Sequence, residues 1–194
     1  MRVARLGLIA CLAALGACAA TPDPTYYLLP SPEVAASTPY SGGTIAVREL
    51  ALPLYARAQQ VASLAEDGSV LLSDDHRWAD EPARASTRTF VSALKQSTGA
   101  AIVAEPWPAS VSPAIRIDVA VDRLIGTLNG GALEFTGQYR LVRTGGGDGD
   151  QDSFSYRIPL SGTGYKALAE AHSNAIAKLA QDVAKRIAGG GAGA

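Results

Sequence analysis

The sequence predicts an α/β fold in a single domain, with a mixed, largely antiparallel sheet of six to eight strands packed with two main helices. Three observations carry this expectation. Between Ile115 and Leu160, three successive runs alternate apolar and polar residues with a period of two, the mark of strands with one buried face. Two other segments, after Asp80 and around Tyr165 to Ile187, repeat apolar residues at three- and four-residue steps, the mark of amphipathic helices. The chain has 194 residues, 47% of them hydrophobic, and without its first 17 the remaining 177 suit one domain with a tether better than two domains.

The first 17 residues are set apart by composition. Arg2 and Arg5 precede an apolar run, Leu6 to Leu15, and Leu15-Gly16-Ala17-Cys18 follows. A charged start, a short apolar stretch and small residues before a cut describe a secretory signal peptide. About ten apolar residues span roughly 15 Å as a helix, whereas a bilayer core needs about twenty residues, so a permanent membrane span is not expected. Leu15 and Cys18 together resemble the lipobox of bacterial lipoproteins. That resemblance implies cleavage before Cys18, a diacylglycerol on its thiol and acylation of the new amino group. The alternative is a plain secreted protein cut at Ala17 or nearby.

Charge and cysteine usage then exclude several classes. Removing residues 1–17 takes Arg2 and Arg5 away, so 17 basic residues become 15 against 18 acidic, and the net charge goes from −1 to −3. Nucleic-acid surfaces are strongly basic, so no nucleic-acid partner is expected. The two cysteines are Cys11, inside the leader, and Cys18. With Cys18 lipidated, the folded domain has no thiol for a disulfide, a cysteine-type zinc site or a nucleophile.

Along the mature chain, residues 18–43 form a lipidated N-terminus and tether, because Pro22, Pro24, Pro30, Pro32 and Pro39 with Gly42-Gly43 resist regular structure. Within it Tyr26-Tyr27-Leu28-Leu29 reads as a short strand docked on the domain edge, the alternative being an exposed contact surface. The domain proper is expected over residues 44–188. It starts with the strand Ile45-Ala46-Val47, and the Asp67-Gly68 pair between Gln60–Ala65 and Ser69–Leu72 predicts a hairpin. A helix follows, capped by Asp80, with Pro82 in the first turn and Gly99 at its end. Its apolar face is Ala83, Thr87, Phe90, Val91 and Leu94, and Trp78 packs onto it from just before the cap. Ile102-Val103 predicts a short strand, then a three-strand meander begins at Ile115 and turns at Asn129-Gly130 and at Gly145–Asp152. The last helix, about 22 residues long, carries one stripe of Tyr165, Leu168, His172, Ile176, Leu179, Val183 and Ile187. Residues 189–194 are a Gly-rich tail.

Chemistry is sparse. Gly145-Gly146-Gly147-Asp148-Gly149-Asp150 lacks the lysine and the helix start of a phosphate cradle, and the aspartates lack the spacing of an EF-hand, so the segment reads as a solvated hairpin loop. Gly162-Thr163-Gly164-Tyr165-Lys166-Ala167 imitates a dinucleotide fingerprint, yet no following strand offers the acidic residue such a site needs, and a strand-to-helix turn is expected instead. His172 falls in the apolar stripe and reads as a packed or rim histidine. His76, beside Asp74-Asp75, has no further metal ligand fixed near it, and no Gly-x-Ser-x-Gly elbow supports a hydrolase. No catalytic, cofactor-binding or metal residue is assigned, and Cys18, the lipidation site, is the one residue with a specific covalent role. Tyr55 and Trp78 are expected in the core.

Several segments in order make a recognisable series: the lipobox, Tyr27-Leu28-Leu29, Ile45-Ala46-Val47 leading to Leu52-Pro53-Leu54-Tyr55-Ala56-Arg57-Gln59-Val61, Arg77-Trp78-Ala79-Asp80 before a helix, and Asn174-Ala175-Ile176 in the closing helix. Together they resemble the ABC-type transport auxiliary lipoproteins, the PqiC-like family, across nearly the whole mature chain. The family commonly has Arg-Trp-Ala-Glu-Pro-Leu, where this chain has Arg77-Trp78-Ala79-Asp80-Glu81-Pro82-Ala83, one residue longer, which puts the helix register in question. The resemblance implies an outer-membrane lipoprotein on the periplasmic face, with no enzymatic activity and no cofactor. Its implied partners are the membrane through Cys18, an MCE-type periplasmic protein, an inner-membrane permease or ABC transporter, and other copies of itself in a homo-oligomer. The implied role is auxiliary to lipid transport between the two membranes. A general envelope-assembly or cell-wall-binding lipoprotein is the alternative, and lipid binding inside the domain is an alternative to docking alone.

Overall fold

The computed structural model describes residues 23–35, 38–146 and 149–189, so the leader and Cys18 lie outside the described residues. The predicted meander forms the body of the molecule: β6 (Ile115–Gly126), β7 (Ala132–Arg143) and β8 (Asp150–Pro159) pair antiparallel in sequence order. Two short strands extend it, β2 (Ile45–Val47) lying parallel between β6 and β5 (Ile102–Ala104). The resulting order is β5-β2-β6-β7-β8.

A second, three-stranded sheet in the order β1-β4-β3 holds the remaining strands. Here β3 (Gln60–Leu64) and β4 (Val70–Trp78) form the hairpin predicted at Asp67-Gly68, and β1 (Thr25–Tyr27) adds to β4 in parallel. The fold is therefore α/β with eight strands, as expected, but the strands divide between two mixed sheets. Both edges of β2, the strand before the hairpin, are taken by β5 and β6, and the hairpin pairs with β1 instead. Between β2 and β3 the chain makes a single helical turn, α1 (Leu54–Arg57).

In β6 the odd-numbered residues from Ile115 to Val121 face inward, and the pairing with β7 slips between Val121 and Arg123. This bulge shifts the inward phase to Leu124, which pairs with Phe135. Gly137 sits opposite the bulge because nothing larger fits: a Cβ there would collide with Ala120 O and lie 2.8 Å from the Phe154 ring.

The helices α2 (Pro82–Thr98) and α3 (Gly164–Gly189) pack on each other, and α3 lies across β7 and β8. The cap of α2 is not the predicted Asp80 but Glu81, whose carboxylate accepts from Ala83 N at 3.1 Å and Arg84 N at 2.7 Å. Pro82 explains the shift: it takes the first helical position and so places the cap one residue earlier in the chain, at Glu81. Asp80 accepts from Glu81 N and pairs with Arg88 instead. At the far end Gly99, with φ of 66°, closes the helix through its N–H to Lys95 O at 2.8 Å.

The closing helix has 26 residues and buries more than the predicted stripe. Ala169, Ala171, Ser173, Ala175, Ala177, Ala180 and Ala184 are buried as well. These small side chains let α3 be covered on two sides, by the sheet and by α2, where a single stripe of larger residues suggested one.

Residues 25–35 and 38–40 run over the domain. Ala79 N donates to Tyr27 O, Ser173 Oγ to Pro30 O, Gln96 Nε2 to Pro32 O, and Thr38 N and Tyr40 N to Ser97 O and Thr98 O. Of the two readings of Tyr26–Leu29, the docked strand is the one formed, with Tyr27 and Leu29 against the core and Tyr26 and Leu28 exposed.

Candidate functional site

The N-terminal crossing creates a cleft of about 250 Å³. Its outer wall is the segment Tyr27–Pro32, held at Ala79, Ser173 and Gln96 by the bonds just described. Its inner wall is the first three turns of α2, from Pro82 to Ser92, and its apolar floor includes Leu52, Ala62, Trp78 and Leu124. Trp78, the last residue of β4, is 7% exposed and meets the His172 ring edge-on, with centroids 5.3 Å apart. At the mouth Arg88 pairs with Asp80, and the bond from Arg88 holds the Asp80 carboxyl below the ordinary aspartate value.

His172 reaches the cleft from α3. It is 7% exposed, and its Nδ1 lies 2.8 Å from Leu168 O one turn back. A carbonyl only accepts, so Nδ1 carries the hydrogen. Burial pushes the imidazole down to about 4, so the ring is neutral at pH 7 and Nε2 is an acceptor.

Nothing among the described residues gathers three metal-ligating side chains, and no described helix is long and apolar enough to cross a membrane. The cleft can hold and orient an apolar body. Among the described residues, no hydrogen bond joins a nucleophile to a base in it, and His172 Nδ1 is committed to Leu168 O.

A family model described as ABC-type transport auxiliary lipoprotein component matches residues 27–184, from the wall of the cleft into α3. The chain belongs to this family. Membership supports an auxiliary, non-catalytic role in ABC-type transport. No curated protein matches its sequence. Among solved structures it is similar to an uncharacterised protein, at 19% identity and a TM-score of 0.70, over 86% of this chain and 99% of that one. It is also similar to a Xanthomonas campestris protein, at 15% identity and a TM-score of 0.72, over 86% of this chain and 96% of that one. At such identities the two structures speak for the fold alone.

The auxiliary lipoprotein domain places the other sequence-singled residues apart. His76 stacks on Tyr165 with centroids 3.9 Å apart, and its Nδ1 is hydrogen-bonded to the Tyr27 hydroxyl at 3.1 Å, while Asp74 and Asp75 are exposed. That cluster pins β1 to the start of α3. Tyr55 is half-buried, its hydroxyl accepting from Leu124 N at 3.0 Å behind the cleft floor. Gly164, with φ of 81°, makes the strand-to-helix turn and donates to Leu128 O. In the Gly145–Asp152 loop, Asp150 pairs with Arg143 at 3.0 Å and Asp152 accepts from the Tyr139 hydroxyl at 3.5 Å; Gly147 and Asp148 lie outside the described residues.

Farther along α3, Tyr156 donates to Asp182 at 2.9 Å, and burial together with that carboxylate pushes the phenol well above its ordinary value. Burial works to raise Asp182, yet the bonds from Lys178, Tyr156 and Lys185 hold it below the ordinary value. These groups fasten α3 to β8 and leave no free base.

Sequence reasoning missed the α2 wall. Its signal was present: Ser86 falls between Ala83 and Phe90 on the buried arc, where a polar residue in an apolar stripe calls for a partner.

Proposed function

We propose that the protein is an outer-membrane lipoprotein, anchored through lipidated Cys18 on the periplasmic face, that serves an MCE-type transport system moving lipids between the inner and outer membranes. The observation that carries this reading is the family match over residues 27–184, taken with Leu15-Gly16-Ala17-Cys18 just upstream. Three acyl chains on residue 18 exceed the two signals that stable anchoring takes. Ala19 supports outer-membrane placement, since an aspartate at that position commonly retains lipoproteins in the inner membrane. The role is docking: an anchored domain that meets an MCE-type protein and, through it, a permease or ABC transporter, with self-association as a further property.

Crosslinking in the envelope, with identification of the captured proteins, tests the partner. An MCE-type protein is expected; capture of cell-wall or assembly proteins alone would contradict the reading. Palmitate labelling tests the anchor: wild type is expected to be labelled and Cys18→Ala not, and labelling that survives the substitution would remove it. Light scattering on the lipidated protein in detergent tests self-association, which a monomer would disprove.

A further inference from the structure

Two polar groups carried by buried residues open onto the cleft and have no hydrogen-bond partner among the described residues. One is His172 Nε2, an acceptor on a side chain 7% exposed whose other ring nitrogen is committed to Leu168 O. The second is the Ser86 hydroxyl, on a residue 2% exposed at the α2 wall. Neighbouring hydroxyls in α2 behave differently: Thr87 and Thr89 donate back to Ala83 O and Ala85 O, as helical hydroxyls commonly do. Both atoms open onto the cleft with hydrogen-bonding capacity to spare, so they can orient a ligand that enters it.

The surroundings define that ligand. The floor of Leu52, Ala62, Trp78 and Leu124 is apolar, so the ligand body is apolar. A charged head would be left without a counter-ion, because the ion pair at the mouth, Asp80–Arg88, already neutralises itself. A neutral hydroxyl fits both groups, donating to the His172 acceptor and accepting from Ser86. The way out is apolar as well: Leu28, on the outer wall, is 70% exposed and offers its side chain to whatever leaves the cleft.

We infer that the cleft between residues 27–32 and α2 binds a single-chain neutral amphiphile, an apolar chain with a hydroxyl-bearing head read by His172 and Ser86. The inference deepens the lipid-transport reading by giving this domain a lipid class of its own, but it stands on the cleft alone.

The test compares two probes on the unlipidated chain carrying Cys18→Ala and Trp107→Phe, with Trp78 fluorescence and calorimetry as readouts below the micelle concentration. 1-Decanoylglycerol has free hydroxyls; methyl decanoate has the same chain and none. Binding of the first is expected to be at least about tenfold tighter than of the second, since a site built around a hydroxyl rejects the analogue lacking it. His172→Phe and Ser86→Ala are each expected to reduce that preference several-fold while methyl decanoate binds as before. Equal binding of the two probes, or binding of neither, overturns the inference without recourse to any variant at the site. A preference unchanged by both substitutions overturns it too. Protein that captures an MCE partner yet treats the probes alike sinks this inference and leaves the transport role standing, and the converse result does the reverse.

Discussion

The five-stranded sheet and the cleft region are built from the same chain by opposite means. In the sheet, β6, β7 and β8 are ten to twelve residues long, pair over nearly all of their length and bury Phe135, Leu133, Leu141 and Ile117 completely. Around the cleft, the wall is a three-residue strand and an irregular segment held by a few hydrogen bonds, and two polar groups open onto the cleft without a protein partner. The molecule keeps its capacity to bind in the cleft rather than in the sheet. The sheet is held by long strand pairing, whereas the cleft leaves apolar surface and two hydrogen-bonding atoms open to an occupant.

If that contrast is right, damage to the sheet costs global stability and damage to the wall costs only local order. The largest effect is expected from Phe135→Ala, which removes a ring packed 4.8 Å from Phe154 and 6.2 Å from Tyr156. A loss of about 3–5 kcal/mol in urea unfolding is predicted, and a loss below about 1 kcal/mol would break the comparison at its stronger end.

Next comes acid. The unfolded chain's His172 takes a proton near its ordinary value of 6.5, while burial keeps the folded one neutral down to about 4. The unfolded state thus binds more protons between those values, so the stability tied to this residue is whole above pH 6.5 and is lost as the pH falls towards 4. The 2.5-unit gap corresponds to about 3 kcal/mol, and His172→Phe is predicted to flatten that part of the stability curve. An unchanged slope would show that the ring is not held neutral.

Gly137→Ala is predicted to cost about 1–3 kcal/mol, since its methyl would meet Ala120 O and the Phe154 ring. A neutral result would mean that the bulge in β6 moves freely. The smallest effect belongs to the wall: Ser173→Ala, which loses the bond to Pro30 O, should cost about 0.5–1.5 kcal/mol. Its signature is faster hydrogen exchange at Ala79 N, which donates to Tyr27 O, with the amides of β7 unaffected. Equal acceleration in both places would merge the two regions into one.

The scaffold was legible in the sequence because burial on one face writes a period of two, as from Ile115 to Val121 and from Leu133 to Phe135. The hairpin at Asp67-Gly68 and the closing glycine at residue 99 were legible from turn and cap chemistry. The alanine side of α3 was not, since residues such as Ala177 and Ala180 carry no strong apolar signal, and their burial is set by how the other elements pack around α3. The cap moved from Asp80 to Glu81 because both can cap, and Pro82 decides between them. The cleft was least legible of all. Its parts, Leu28, Trp78, Ser86 and His172, are scattered through the chain and meet only through parallel pairing of β1 with β4 and the packing of α2 on α3.

Central to this account is that the folded domain is the docking part of an anchored transport auxiliary, and the most direct test is to isolate it from crosslinked envelopes and identify what comes with it. Wild-type protein is predicted to bring down an MCE-type protein, and Cys18→Ala, released from the membrane, much less of it. Absence of any MCE-type or transporter protein from the wild-type capture would contradict the account.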